Sequence, residues 1–295
     1  MRKILIGYDG SSHGDDALAL GRVLAEAATD PQVVVATVYD ALIPKNTQGE
    51  PSLREERLRD EAQQTLLQAR AAWPELNEAA FQALRATSPS AGLHRAAADD
   101  DFDVIVLGSS HRHGLGRIWA GSVTEQTLAG APRAVAVAPP GYAAKTAETT
   151  RLRRVGVAYD GSVEAVHALD LAAELVDGGD ATVVAIDVVD TVGPPLTGGY
   201  GYGSFVGDMR DLADRNLAAA RVALEQHGIE RVELERPEGG PARDLIAASE
   251  RLDLLLLGSR SHGPALRLLL GSVSARVVRE AACPVLLHPR SADPR

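Results

Sequence analysis

The sequence predicts an α/β protein of two tandem open parallel sheets, five strands each, with helices on both faces. Three observations predict it. The chain repeats itself: Tyr8-Asp9-Gly10-Ser11 returns as Tyr159-Asp160-Gly161-Ser162, a shift of 151. Val106-Leu107-Gly108-Ser109 returns as Leu256-Leu257-Gly258-Ser259, and Gly121-Ser122-Val123 as Gly271-Ser272-Val273, each shifted by 150. Within each half, short apolar runs alternate with amphipathic stretches, the pattern of βαβ units with right-handed crossovers. Runs such as Val104-Ile105-Val106-Leu107 are apolar at every position, so these strands are covered on both faces, as in a parallel sheet.

The elements follow in order. Residues 3–8 hold Ile4-Leu5-Ile6 and stop at the turn former Asp9-Gly10, which marks a strand. Residues 13–28 carry apolar side chains at helical spacing. Residues 33–39 are a β-branched strand, 52–73 a polar helix opened by Ser52, and 80–86 a third strand. A helix over 89–99 starts at Pro89, the strand over 104–107 follows, then a short helix over 123–129 and a strand over 134–138. The second half repeats this with strands over 154–159, 182–188, 232–236, 254–257 and 285–288. Its helices cover 163–177, 208–226, 242–250 and 273–281. Residues 132–137 and 284–287 echo each other near the end of each half. The expected domains are 1–140 and 154–290, joined by a Pro-, Ala- and Thr-rich linker over 141–153 without periodicity.

Composition narrows the function. In 295 residues, 45% are hydrophobic and 24% charged, ordinary for a globular chain, while aromatics are only 4%, so Ala, Val, Leu and Ile must build the core. A net charge of −10 opposes general DNA or RNA binding. One cysteine, Cys283, excludes an intrachain disulfide and a multi-cysteine metal site. The opening Met1-Arg2-Lys3-Ile4-Leu5-Ile6 reads as a strand rather than a signal peptide. No apolar stretch approaches the ~20 residues that span a bilayer. The expectation is a cytoplasmic protein with no nucleic-acid and no membrane partner.

In an open parallel sheet, ligands bind beyond the carboxyl ends of the strands, where strand order reverses. Two loops per half reach that place. One is the turn at Asp9-Gly10-Ser11, repeated at Asp160-Gly161-Ser162; by itself it is also a common cap sequence. The other runs from Gly108 to Gly121-Ser122 and from Gly258 to Gly271-Ser272, 13 residues in both halves. A Gly–Ser pair opening a helix offers backbone N–H groups, a hydroxyl and the positive dipole end, which is anion-binding equipment. A carboxylate across the cleft can accept from a ribose hydroxyl or help hold a divalent cation against phosphates.

With these residues on the page, the whole chain resembles a tandem universal stress protein. The family's nucleotide pattern is Gly, two residues, Gly, nine residues, then Gly followed by Ser or Thr, preceded by an Asp at the end of the first strand. The resemblance implies a Rossmann-like sheet of strand order 3-2-1-4-5. It also implies ATP, with or without Mg2+, in the cleft. By the resemblance, adenine would lie against Gly7, Val38 and Leu107 in the first half, and against Ala158, Val188 and Leu257 in the second. Asp9 and Asp160 match the acidic residue. Gly108, Gly121, Ser122 and Val123 match the loop, as do Gly258, Gly271, Ser272 and Val273. At the second Gly of the pattern stand His111 and Ser261, with Gly114 and Gly263 nearby. The family's last strands pair at their edges, so the resemblance also implies that the two halves pair as an intramolecular pseudo-dimer. A homodimer is compatible with it.

Other residues invite other readings. His111, His113 and His262 lie in these loops, without an acidic or cysteine neighbour to complete a metal site. Arg117 and Arg267 each lie four residues before a Gly–Ser pair, within reach of a phosphate or simply on the surface. Gly10, Ser12 and Gly14 spell the G-x-S-x-G of a hydrolase elbow, but Val163 stands where Ser12 would repeat. No Walker-type loop and no G-x-G-x-x-G occurs, which excludes an ordinary P-loop ATPase and a dinucleotide dehydrogenase. Residues 194–207 contain Gly198-Gly199-Tyr200-Gly201-Tyr202-Gly203, read either as a connector or as a lid or partner contact. The expectation is therefore a stress-response switch or sensor that binds adenine nucleotide and answers to a protein partner the sequence does not name. The alternatives are a nucleotide-free interaction scaffold and a slow ATP hydrolase.

Overall fold

The computed structural model describes residues 1–40, 52–109, 123–146, 151–176, 180–192, 202–259 and 270–289. The chain divides into two compact units, Met1–Arg151 and Leu152–Arg295.

In the first unit the strands are β1 (Lys3–Gly7), β2 (Gln32–Asp40), β3 (Phe81–Ala86), β4 (Val104–Gly108) and β5 (Ala134–Ala138). They pair in parallel in the order β3-β2-β1-β4-β5. The register sets Ile4 beside Val33 on one side and Val104 on the other. Ile4, Leu5 and Ile6 are fully buried, which is what a strand covered on both faces requires. The helices are α1 (Ser12–Ala27), α2 (Leu53–Ala72), α3 (Pro89–Asp99), α4 (Val123–Leu128) and α5 (Tyr142–Thr146), with a 3-10 turn at Glu78–Ala80. Each long helix starts on a serine. The side chains of Ser11, Ser52 and Ser88 accept from the N–H groups of Gly14, Glu55 and Ala91, and Pro89 occupies the first helical position.

The second unit repeats the plan with β6 (Arg154–Ala158), α6 (Val163–Val176), β7 (Thr182–Ile186), β8 (Val189–Asp190), α7 (Tyr202–Gln226), β9 (Val232–Glu235), β10 (Glu238–Gly239), α8 (Pro241–Ser249), β11 (Leu254–Gly258), α9 (Ser272–Glu280) and β12 (Val285–His288). Its main sheet runs β9-β7-β6-β11-β12, all parallel. Counted along the chain, that is again the order 3-2-1-4-5. Both sheets reverse direction of growth between the first and fourth strands, so each opens a cleft at its strands' carboxyl ends.

Three details differ from the sequence reading. The strand expected over 182–188 leaves the main ladder at Ile186, and Val189–Asp190 pairs with Glu238–Gly239 in a separate two-stranded sheet. The helix expected to begin at residue 208 begins at Tyr202, because Val206 continues the buried stripe of Ala213, Leu217, Ala220 and Leu224. Part of the expected linker is helical: Asp16 on α1, 2% exposed, accepts from the N–H groups of Gly141 at 2.9 Å and Ala143 at 2.8 Å and so caps α5. Among the described residues, no helix is long and apolar enough to cross a membrane.

Candidate functional site

The first wall of each cleft is the turn after the unit's first strand. Gly10 and Gly161 both take φ of +75°, the left-handed region that glycine enters without strain. Asp9 Oδ1 accepts from the Ser11 N–H at 3.0 Å and the Ser11 hydroxyl at 2.6 Å. Asp160 Oδ1 accepts from the Ser162 N–H at 3.0 Å. Ser11 and Ser162 in turn accept from the N–H groups of Gly14 and Ala165, each at 3.3 Å. The aspartates thus tie the turn to the start of the next helix.

The glycine closing the fourth strand sets how near that helix comes. A Cβ on Gly258 would stand 2.6 Å from the Glu164 carbonyl carbon, and one on Gly108 would strike the His13 carbonyl. These glycines are therefore required by close backbone packing. Across the first cleft, the Thr124 hydroxyl donates to the Gly108 carbonyl at 2.9 Å. In the second, Gly271 stands at the N-cap of α9, where a glycine brings no side chain to the first N–H groups of the helix.

Every predicted site residue that is described lines one of two cavities. The first, about 270 Å3, includes Gly7, Asp9, Val38, Leu107, Gly108 and Val123. The second, about 510 Å3, includes Ala158, Asp160, Val188, Leu257, Gly258, Gly271, Ser272 and Val273. Gly121, Ser122, His111, His113, Gly114, Arg117, Ser261, His262, Gly263 and Arg267 lie outside the described residues, as do positions 194–201 of the Gly/Tyr-rich segment. Sequence reasoning missed His13 and Thr37 in the first cleft, and Asp187, Asp190 and Asn216 in the second. Thr37 and Asp187 immediately precede the two valines chosen by resemblance, so the register of the second strand was the signal that could have found them.

Burial governs the phenol that precedes each strand-end aspartate. Burial, with help from the hydrogen bond to Asp15, pushes the Tyr8 hydroxyl up to about 12. Burial, and then the field of Asp160, raises Tyr159. Neither phenol supplies a base near neutral pH. The described lining of the second cleft contains no His, Cys, Lys or Arg. Among the described residues, no cluster of three or more His, Cys, Asp or Glu could hold a metal ion. Ser12 of the elbow pattern stands exposed at the first position of α1. Cys283 is buried, and burial raises its thiol to about 12.

Comparison with known proteins agrees with this architecture. The model of the Universal stress protein family matches twice, over residues 1–139 and 151–289. A universal stress protein of Mycobacterium tuberculosis is 30% identical over 210 residues, 68% of this chain and 69% of that protein. One of Methanocaldococcus jannaschii is 34% identical over 134 residues, 43% of this chain and 75% of that protein. The crystal structure of a universal stress protein from Archaeoglobus fulgidus shares the fold over 99% of this chain and 97% of its own, with a TM-score of 0.68 at 19% identity. With two matched segments and a repeated 3-2-1-4-5 sheet, the chain belongs to the universal stress protein family as a tandem of two of its domains.

Proposed function

We propose that the chain binds an adenine nucleotide, ATP, at the carboxyl ends of its strands, and that it acts in the cytoplasm as a stress-response switch or sensor. The observation that carries this reading is the polarity of the second cleft. Its lining combines three carboxylates, Asp160, Asp187 and Asp190, with the start of α9 at Gly271, Ser272 and Ser274. A helix N-terminus attracts an anion, and carboxylates attract hydrogen-bond donors. A ligand with donors at one end and phosphates at the other matches both.

In this reading the base lies against Ala158, Val188 and Leu257. Asp160 accepts from the ribose hydroxyls, and Ser272 and Val273 turn their N–H groups to the phosphates. Mg2+, where present, sits between Asp160 and the phosphates, because a hard cation takes oxygen ligands. The cavity of about 510 Å3 falls in the range of small-molecule sites, ~300–1,000 Å3. The first cleft, at about 270 Å3, falls just under it, and the interaction-scaffold reading suits that half better.

The test is calorimetric titration of nucleotide-stripped protein with MgATP, followed by a phosphate-release assay at saturation. Saturable binding without multiple turnover is expected. No heat at millimolar ATP would remove the nucleotide reading. Sustained phosphate release would remove the switch in favour of a hydrolase.

A further inference from the structure

The two clefts are walled differently. Gly10 and Gly161 are equivalent turn glycines, and a Cβ on either would meet the helix that crosses the turn. That helix presents Thr65 and Gln68 of α2 in the first unit, and Asn216 of α7 in the second. The two helices therefore pass the same place. Yet the described lining of the first cavity takes no residue from α2, whereas Met209, Leu212, Ala213 and Asn216 of α7 all line the second.

What α7 adds is mostly apolar. Ala213 is buried, Met209 is half-buried, and Leu212 is 52% exposed although it lines the cavity. Spacings of three and four residues from Met209 put Leu212 and Ala213 on one face of the helix. The carboxyl ends of the strands bring a separate apolar set, Ala158, Val188 and Leu257. A flat aromatic base has two apolar faces, and a slot that takes both from water gains more than a single wall does. A thioether suits one side of such a slot: it is unbranched and adaptable, and its sulfur is attracted to aromatic rings. The half-exposed Leu212 is apolar area that a ligand can cover.

We propose that Met209 and Leu212 cover the second face of the nucleotide base in the second cleft, the first face lying on Val188 and Leu257, so that this site selects ligands carrying a planar aromatic base. The inference rests on the nucleotide reading above and adds two binding residues to it. A phosphate chain without a base gains nothing from this wall, and the described lining of the first cleft has no counterpart to it.

Met209 can report on the contact itself. The chain holds two methionines, Met1 and Met209, so protein grown on methyl-labelled methionine gives two methyl signals, assigned with Met209→Leu. MgATP should move the Met209 methyl upfield, through the ring current of the base, and magnesium tripolyphosphate should leave it in place. Met209→Ala should weaken MgATP binding about tenfold, while Met209→Leu, which keeps the volume, should stay within about threefold of the parent. Leu212→Ser, at a half-exposed position, should weaken it several-fold in a chain that melts as the parent does. MgATP that binds with the Met209 methyl unmoved, or with equal affinity for the parent and Met209→Ala, overturns the inference and leaves the nucleotide reading standing. Failure of MgATP to bind overturns both.

Discussion

Gly258→Ala is the sharpest perturbation the packing defines. The new Cβ would lie 2.6 Å from the Glu164 carbonyl carbon, 2.7 Å from its Cβ and 2.8 Å from its carbonyl oxygen. Two of those atoms are main chain in the first turn of α6, so relief requires α6 and β11 to separate. Overpacking of this kind costs about 1–3 kcal/mol, and the backbone contact places Gly258→Ala at the upper end, ~2–3 kcal/mol. The control lies in the same unit: a Cβ on Gly156 meets only the side-chain ends of Leu252 and Leu255, which can rotate away, for about 1 kcal/mol. At ~2–4 °C per kcal/mol for a unit this size, Gly258→Ala should lower the second unit's melting temperature by about 5–10 °C and Gly156→Ala by about 2–4 °C. Calorimetry on the full chain reads both, with the two units' transitions fitted separately where they resolve. The same shift of α6 moves the Asp160 turn, so nucleotide affinity should fall with Gly258→Ala and hold with Gly156→Ala. A Gly258→Ala melting temperature within about 1 °C of the parent, or no lower than that of Gly156→Ala, would refute the close-packing argument.

Other outcomes follow from single groups. Asp16→Ala removes two charge-assisted bonds to the Gly141 and Ala143 N–H groups and should release α5; limited proteolysis should cut near residues 141–151 many times faster than in the parent. Burial, helped by repulsion from His167, holds the His288 imidazole below its ordinary 6.5, while a hydrogen bond with the Pro289 main chain and the fields of Asp170 and Glu174 pull the other way. The unfolded chain therefore binds this proton more readily, so the contribution is complete above pH 6.5 and is lost as pH falls through the folded value. Urea midpoints should drop between pH 7.5 and 5.5, and His288→Gln should flatten that part of the profile. Cys283, with its thiol at about 12, should resist a disulfide reagent at pH 8 in the native protein and react at once in denaturant.

Much of the fold was legible because its signals are local. Ile4-Leu5-Ile6 and Leu254-Leu255-Leu256-Leu257 are apolar runs with turn residues on their flanks, and serines at 11, 52 and 88 mark helix starts wherever they lie. What escaped depends on partners distant in sequence. The cap of α5 is a carboxylate more than a hundred residues upstream. The β8–β10 pair is two residues long on each side, too short to show a period. Tyr202 to Gly207 reads as loop by composition, and it is helical because Val206 finds the core. The strand-end glycines and aspartates of the site were readable from their repetition. Asp187 was not, because an acidic residue inside an apparent strand looks like solvent-facing alternation until α7 is seen to close over it.

The central claim is that the second cleft holds a nucleotide with its phosphates at the start of α9 and its base near Val188. Backbone amide resonances of the full chain, titrated separately with MgATP and with adenosine, test it most directly. The account predicts that the Ser272, Val273 and Ser274 amides shift with MgATP and not with adenosine, while those of Asp187 and Val188 shift with both. Saturating MgATP that leaves the amides of residues 272–274 unmoved would contradict it.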